Sequence, residues 1–255
     1  MAPKKGDKIA VWFSCGAASA VAAKLALNRY SDFCDVFVVN SPIAEEDDDN
    51  RRFLLDVQKW LGVEIMTATN PNYPSSSCVD VWESKKFMSS PYGAPCTVQL
   101  KKEARYYWQD KYKPDWHVLG FTFEEKTRSD RFMMTETTKL LPVLIEEKKT
   151  KRDCFSILNT AGIKLPRIYD AGYPNANCIG CVKASSPTYW NHVRKQHPDV
   201  FAQRSEQSRR LGAKLVRVKN ERIFLDQLHP EARGAPLKSM DFECGLFCEE
   251  RDAPL

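Results

Sequence analysis

Val11–Ala26, "VWFSCGAASAVAAKLA", decides the fold. An apolar run meets a cluster of small residues and then becomes strongly helix-forming. That order predicts a strand, a tight loop and a helix start, a place where backbone N–H groups can receive a phosphate. The loop has neither the lysine of a Walker P-loop nor the three glycines of a dinucleotide fingerprint. It offers Ser14, Cys15, Gly16, Ala17, Ala18 and Ser19 instead. Its small residues let a ligand approach the backbone, and the hydroxyls of Ser14 and Ser19 add donors.

Outward from this loop, strand and helix alternate. "KIAVWFS", "CDVFVVN", "VEIMTAT", "WHVLGF" and "KLLPVLI" read as five strands, the last one weakened by Pro142. Ala17–Asn28, the stretch from Asn50 to a stop at Gly62, and Val98–Tyr112 read as helices. Such alternation predicts an α/β fold, a doubly wound, mostly parallel five-stranded sheet with helices on both faces. Ligands of these sheets bind at the carboxyl ends of the strands, which puts Asn40 and Ser41 within reach of an adenine or ribose. We place a nucleotide-binding domain over residues 1–150 and a helical, cysteine-bearing extension over residues 151–255.

The chain has 255 residues, 43% of them hydrophobic, and a net charge of +5. That suffices for a core and argues against wholesale disorder. A mildly basic balance permits nucleotides or nucleic acid as partners without demanding them. No apolar run approaches the roughly 18–20 residues of a membrane span, and the basic start lacks a signal-peptide pattern. The expectation is a soluble, cytoplasmic protein with no membrane partner.

Nine cysteines then need a use other than disulfides. Cys178 and Cys181 form C-x-x-C, a spacing that turns two sulfurs the same way onto a metal or a cluster. Cys244 and Cys248 form a second close pair. Cys96 follows a proline at a helix start, where a thiol pKa falls. A structural zinc on Cys178, Cys181, Cys244 and Cys248 is one reading. Cys34, Cys78 and Cys154 read as ordinary small buried side chains, and Cys15 as a residue chosen for size in a crowded loop. The four histidines have no ligand-like spacing. His117 reads as structural, and nothing supports a Ser–His–Asp hydrolase. The acids of "EEDDDN" read as caps of the helix that follows, in preference to a metal site.

Several stretches together resemble one family. "FSCGAAS" resembles the pyrophosphate loop of the adenine-nucleotide alpha-hydrolase (PP-loop) superfamily. "CTVQLKK", "LGFTFEEKTRSDRF" and "FECGLFCEE" resemble segments of the phosphoadenylyl-sulfate (PAPS) reductase family, whose members are often carried by bacteriophages. The resemblance implies a 4Fe–4S cluster on Cys96, Cys178 and Cys181, with Cys248 the nearest candidate for a fourth ligand. It implies Cys244 as the nucleophile that attacks the sulfur of an adenylylated sulfate, unless Cys244 is itself a ligand. Lys101, Arg128 and Arg131 fall where the family neutralises phosphate and sulfate, and Gly120 joins the nucleotide set. An oxidoreductase of this kind takes a small-molecule nucleotide substrate, draws electrons from a thioredoxin-like donor and can be a homodimer. The departures are Ala18, where ATP-cleaving members carry Asp, Thr97 in place of a second cysteine, and Phe247 in place of His.

Three functions follow. The main reading is thiol-dependent reduction of an adenylylated sulfate. The alternative is cluster-dependent thiolation of tRNA or DNA, which the basic run "RSEQSRRLGAKLVRVK" favours unless it is only a solvated amphipathic helix. The third is a non-catalytic nucleotide-binding module with a structural zinc. The missing carboxylate at Ala18 argues for an already activated nucleotide over ATP cleavage.

Overall fold

The computed structural model describes residues 2–90, 93–135 and 138–237. The expected nucleophile Cys244, the expected ligand Cys248 and the tail motif around them lie outside the described residues. In chain order the first elements are β1 (Lys8–Trp12), α1 (Ala17–Tyr30), β2 (Asp35–Asn40), α2 (Asp49–Leu61), β3 (Ile65–Thr67) and α3 (Cys78–Lys85). Then come α4 (Pro95–Thr97), a π-helical turn (Val98–Glu103), α5 (Ala104–Tyr112), β4 (Trp116–Val118), α6 (Lys126–Thr135) and α7 (Val143–Glu146). The remainder comprises α8 (Lys151–Thr160), α9 (Arg167–Asp170), α10 (Pro187–Gln196), α11 (Pro198–Arg210), β5 (Val216–Val218) and β6 (Glu221–Ile223).

The chain divides into two compact units, each assembled from separate segments. One comprises Met1–Pro42, Asp48–Ala68 and Tyr107–Arg167; the other comprises Ile43–Asp47, Thr69–Tyr106 and the described residues from Ile168 on.

The first unit contains a parallel sheet in the order β3-β2-β1-β4. Ile9 stands opposite Val36 on one side and Trp116 on the other, so the strand order reverses at β1. Ile9, Ala10, Val11 and Trp12 are all buried, the pattern of a central strand covered on both faces. Ala17, Ala20, Ala22, Ala23 and Ala26 make α1 slim enough to be buried nearly all round, against β1, β2, α7 and α8. Gly62 ends α2 in the left-handed region at φ 75°. His117 is buried as a structural residue and accepts a 2.9 Å hydrogen bond from Trp12 Nε1 at its Nδ1.

One expectation needs correction. The fifth strand, "KLLPVLI", is reduced to a single parallel bridge between His117 and Leu140. The His117 N–H donates to Lys139 O and the Leu141 N–H to His117 O, both at 2.8 Å. Pro142 has no N–H to continue the ladder, and the chain turns into α7 directly after it. Among the described residues the sheet therefore has four strands.

The second unit is helical, with one small antiparallel hairpin of β5 and β6. Its core is built on Trp82, Met88, Tyr189, Trp190, Leu215 and Leu225, and it includes Cys78, Cys96 and Cys181. No helix of the described residues is long and apolar enough to cross a membrane.

Candidate functional site

Two local arrangements carry the chemistry, one in each unit. In the first unit β1 runs into the small-residue loop. Cys15 adopts φ 55°, a left-handed turn that a cysteine enters only at a cost. Gly16 is extended and starts α1. Ser19 Oγ accepts from the Ser14 N–H at 3.1 Å and donates to Gly16 O at 2.9 Å, so this hydroxyl closes the loop on itself. Ser14 Oγ donates to Ser19 Oγ at 3.2 Å. Asn40, at the end of β2, donates through Nδ2 to Phe13 O at 2.8 Å and reaches the Cys15 sulfur at 3.6 Å. Cys15 is 3% exposed, as a residue selected for size would be.

Gly120 follows β4 and lies against the start of α1. A Cβ at Gly120 would fall 2.8 Å from Ser19 N and 3.0 Å from its Cα. The structure thus brings Ser14–Ser19, Asn40 and Gly120 together at the strand ends, with buried Ser41 following Asn40. Ala18 contributes no carboxylate. Of the two expected arginines, Arg128 pairs with Glu125 at 3.0 Å and lies over the Phe121 ring, while Arg131 is exposed on α6.

In the second unit four cysteines line one cavity: Cys78, Cys96, Cys178 and Cys181. Its other walls are mainly apolar, with Ile43, Ile179 and Val182, and three charged residues, Glu45, Lys101 and Lys183, border it. The Cys78 thiol is hydrogen-bonded to Cys178 and Cys96, which pushes its pKa well up, with burial adding to the effect. Cys96 shifts the opposite way. The hydrogen bond from Cys78 lowers it most, helped by Trp82 and the charge of Lys183. Cys78 is therefore within hydrogen-bond reach of both Cys96 and Cys178.

Local sequence explains the convergence. Ser77 caps α3 and starts it at Cys78, and Pro95 starts the helix that carries Cys96. Gly180 takes φ 71° within the C-x-x-C turn, a conformation suited to glycine. Glu45 ties the two arms together. Its carboxylate accepts from Ser77 Oγ at 2.7 Å and from the Cys78 N–H at 2.8 Å, and its carbonyl accepts from the Ile179 N–H at 2.9 Å. The expectation that the acids of "EEDDDN" cap the following helix holds only in part. Asp48, at the N-cap of α2, makes no side-chain capping bond; Asp49 lies in the first turn and accepts the Arg52 guanidinium at 2.7 Å, whereas Glu45 serves α3.

Lys101, expected at a phosphate, stands at this cavity. It lies on the π-helical turn that replaces the expected regular helix at Val98–Glu103, and it pairs with Glu46 at 3.3 Å. π-Helical turns of this kind often mark functional sites. In the basic run read as favouring nucleic acid, Arg204 is buried, while Arg209, paired with Asp226 at 2.7 Å, Arg210, paired with Glu83, and Lys214, Arg217 and Lys219 are exposed.

Cys78 is buried, as expected, and it also lines the cavity with Cys96, Cys178 and Cys181, which the linear sequence does not foretell. The signal used for Cys96, a thiol in the first turn of a helix, is present at Cys78 as well. Among the described residues no group of three or more His, Cys, Asp or Glu side chains is spaced to hold a single metal ion. The structural zinc therefore has no support from them.

Tyr189 braces the C-x-x-C turn from below. Its buried hydroxyl accepts from the Cys181 N–H at 2.8 Å and donates to Cys178 O at 3.5 Å. Tyr189→Phe removes this buried hydrogen bond to the Cys181 N–H, at a cost of about 1–3 kcal/mol. Urea denaturation of the metal-free protein should show that loss, and a variant as stable as the parent would refute this role.

No protein-family model and no curated protein matches the chain. Among solved structures it is similar to the U34-tRNA thiolase NcsA from Methanococcus maripaludis, determined with its 4Fe-4S cluster. The TM-score is 0.46 at 13% identity, over 82% of this chain and 73% of that one.

Proposed function

We propose that this chain is an iron–sulfur enzyme that handles sulfur with the help of an adenine nucleotide. The convergence of Cys78, Cys96, Cys178 and Cys181 on one cavity carries the proposal. Four thiols in a cavity with mainly apolar walls suit a 4Fe–4S cluster better than a hard cation. Cys78, Cys96, Cys178 and Cys181 would hold it, and bound there it would supply sulfur binding or one-electron chemistry. The loop Ser14–Ser19 with Asn40 and Gly120 would receive the nucleotide phosphates through backbone N–H groups at the start of α1.

Two acceptors fit this class, each favoured by one observation. Thiolation of a nucleic-acid base is favoured by the surface of the unit that carries the cysteines. Phe87 is 44% exposed directly after exposed Lys85 and Lys86. Aromatic faces beside cations bind single-stranded bases and phosphates together. Reduction of an adenylylated sulfate is favoured by the ligand count. With Cys78 in the cavity, Cys244 is not required as a ligand and stays available as the attacking thiol.

The full-length protein, reconstituted anaerobically with iron and sulfide, tests both. A thio-modified nucleoside formed from tRNA or DNA in the presence of ATP supports thiolation. Sulfite released from phosphoadenylyl sulfate, and lost in Cys244→Ser, supports reduction. A protein that takes up zinc but no iron overturns both.

A further inference from the structure

Arg204, on α11, is 2% exposed. Its guanidinium lies 4.6 Å from the centre of the Trp82 ring and donates to Gln207. Among the described residues no carboxylate pairs with it, and its Nε has no hydrogen-bond partner. A buried cation without an anionic partner costs several kcal/mol. The chain tolerates such a residue where something nearby supplies negative charge.

The surroundings show what that is. A Cβ on Gly180, in the middle of the C-x-x-C turn, would stand 3.3 Å from Arg204 Cγ and 3.6 Å from its Nε. Arg204 therefore backs directly onto the turn between Cys178 and Cys181. Trp82, on which it stacks, lines the cysteine cavity. The groups whose negative forms act on Arg204 are Glu45, Cys78, Cys178 and Tyr189. Glu45 lines the same cavity, its carboxylate held at the start of α3 by Ser77 Oγ and the Cys78 N–H, so Arg204 faces this carboxylate and the thiols together.

We propose that Arg204 is the counter-cation of the cysteine site: a buried guanidinium, behind the C-x-x-C turn, that balances thiolate charge and sets the reduction potential of the group the cysteines hold. The inference rests on the iron–sulfur reading. Arg204 touches no reacting atom and acts through the field at the thiolates, which makes it a positioning residue. A fixed positive charge favours the reduced, more negative form of a cluster, so removing it lowers the potential. A purely structural arginine, stacked on Trp82 and covering the turn, would change stability and leave the potential where it was.

The test is an anaerobic redox titration of the reconstituted full-length protein, followed by electron paramagnetic resonance, with iron and sulfide assayed on the same samples. At the midpoint potential of the parent, Arg204→Gln should leave the oxidised form in excess by on the order of tenfold. That ratio corresponds to a fall of about 59 mV for a one-electron couple. Arg204→Lys keeps the charge and should stay near the parent potential. Arg204→Met keeps the apolar stem over Trp82 and replaces the Gln variant if that fails to fold. An unchanged potential in a charge-removing variant with full iron content overturns the role of Arg204 while leaving the cluster in place. An equal fall in Arg204→Lys and Arg204→Gln also overturns it. A parent protein that takes up no iron overturns the cluster reading, and this inference with it.

Discussion

Cys78→Ser is expected to strip the protein of bound iron. Cys78 is 3% exposed, and its thiol is hydrogen-bonded to Cys96 and Cys178. A serine there presents a harder, shorter donor that stays protonated at neutral pH, where a thiolate binds soft iron. After anaerobic reconstitution, iron and acid-labile sulfide should fall from about four of each per chain, the content of a 4Fe–4S cluster, to a small fraction of that. Cys34→Ser is the control. Cys34 lies in the other unit and donates to Lys4 O at 3.3 Å, so its replacement should leave iron content unchanged. Far-ultraviolet circular dichroism of both variants separates lost ligation from lost fold. A folded Cys78→Ser protein with full iron would remove Cys78 from the ligand set and return the search for a fourth ligand to Cys248.

Gly120→Val is expected to cost both stability and nucleotide binding. The first carbon of any side chain at this position meets backbone, 2.8 Å from Ser19 N and 3.2 Å from Ala18 C. Backbone at the start of a buried helix cannot rotate away as a side-chain tip can. Overpacking of this kind costs about 1–3 kcal/mol, measurable by urea denaturation. The displaced atoms are the ones proposed to hold phosphate, so adenine-nucleotide affinity, measured by calorimetry, should drop by about tenfold or more. Gly120→Ala should show the same signs at smaller size. A Gly120→Val variant that binds nucleotide like the parent would separate this glycine from the nucleotide site.

Much of this was legible in the linear chain, for local reasons. The strand, tight loop and helix of Val11–Ala26 follow from an apolar run, a small-residue cluster and alanine-rich sequence, and they form as read. The stop at Gly62 and the turn at Gly180 follow from the one residue type that takes positive φ freely. The C-x-x-C pair announces itself by spacing. The fifth strand is different, because its pairing depends on how far a ladder can run beyond a proline. Periodicity shows that Leu140 and Leu141 are apolar but not that only one bridge forms.

What the sequence by itself determined, then, are the elements and the residue types: a nucleotide-style loop between β1 and α1, two closely spaced cysteine pairs in the second half, and small residues where the backbone must come close. Only the tertiary structure decided which thiols meet. Cys78 and Cys96 are separated by many residues from Cys178 and Cys181, and no local rule links them. They meet because Glu45 holds the start of α3 with its side chain and the C-x-x-C turn with its carbonyl. Likewise, Arg204 reads in sequence as one cation of a solvated basic helix. It becomes a buried charge only when α11 packs its face onto Trp82 and Gly180. Burial and long-range pairing are properties of the packed chain, and in this protein they select the cysteines that form the site and the cation that faces them.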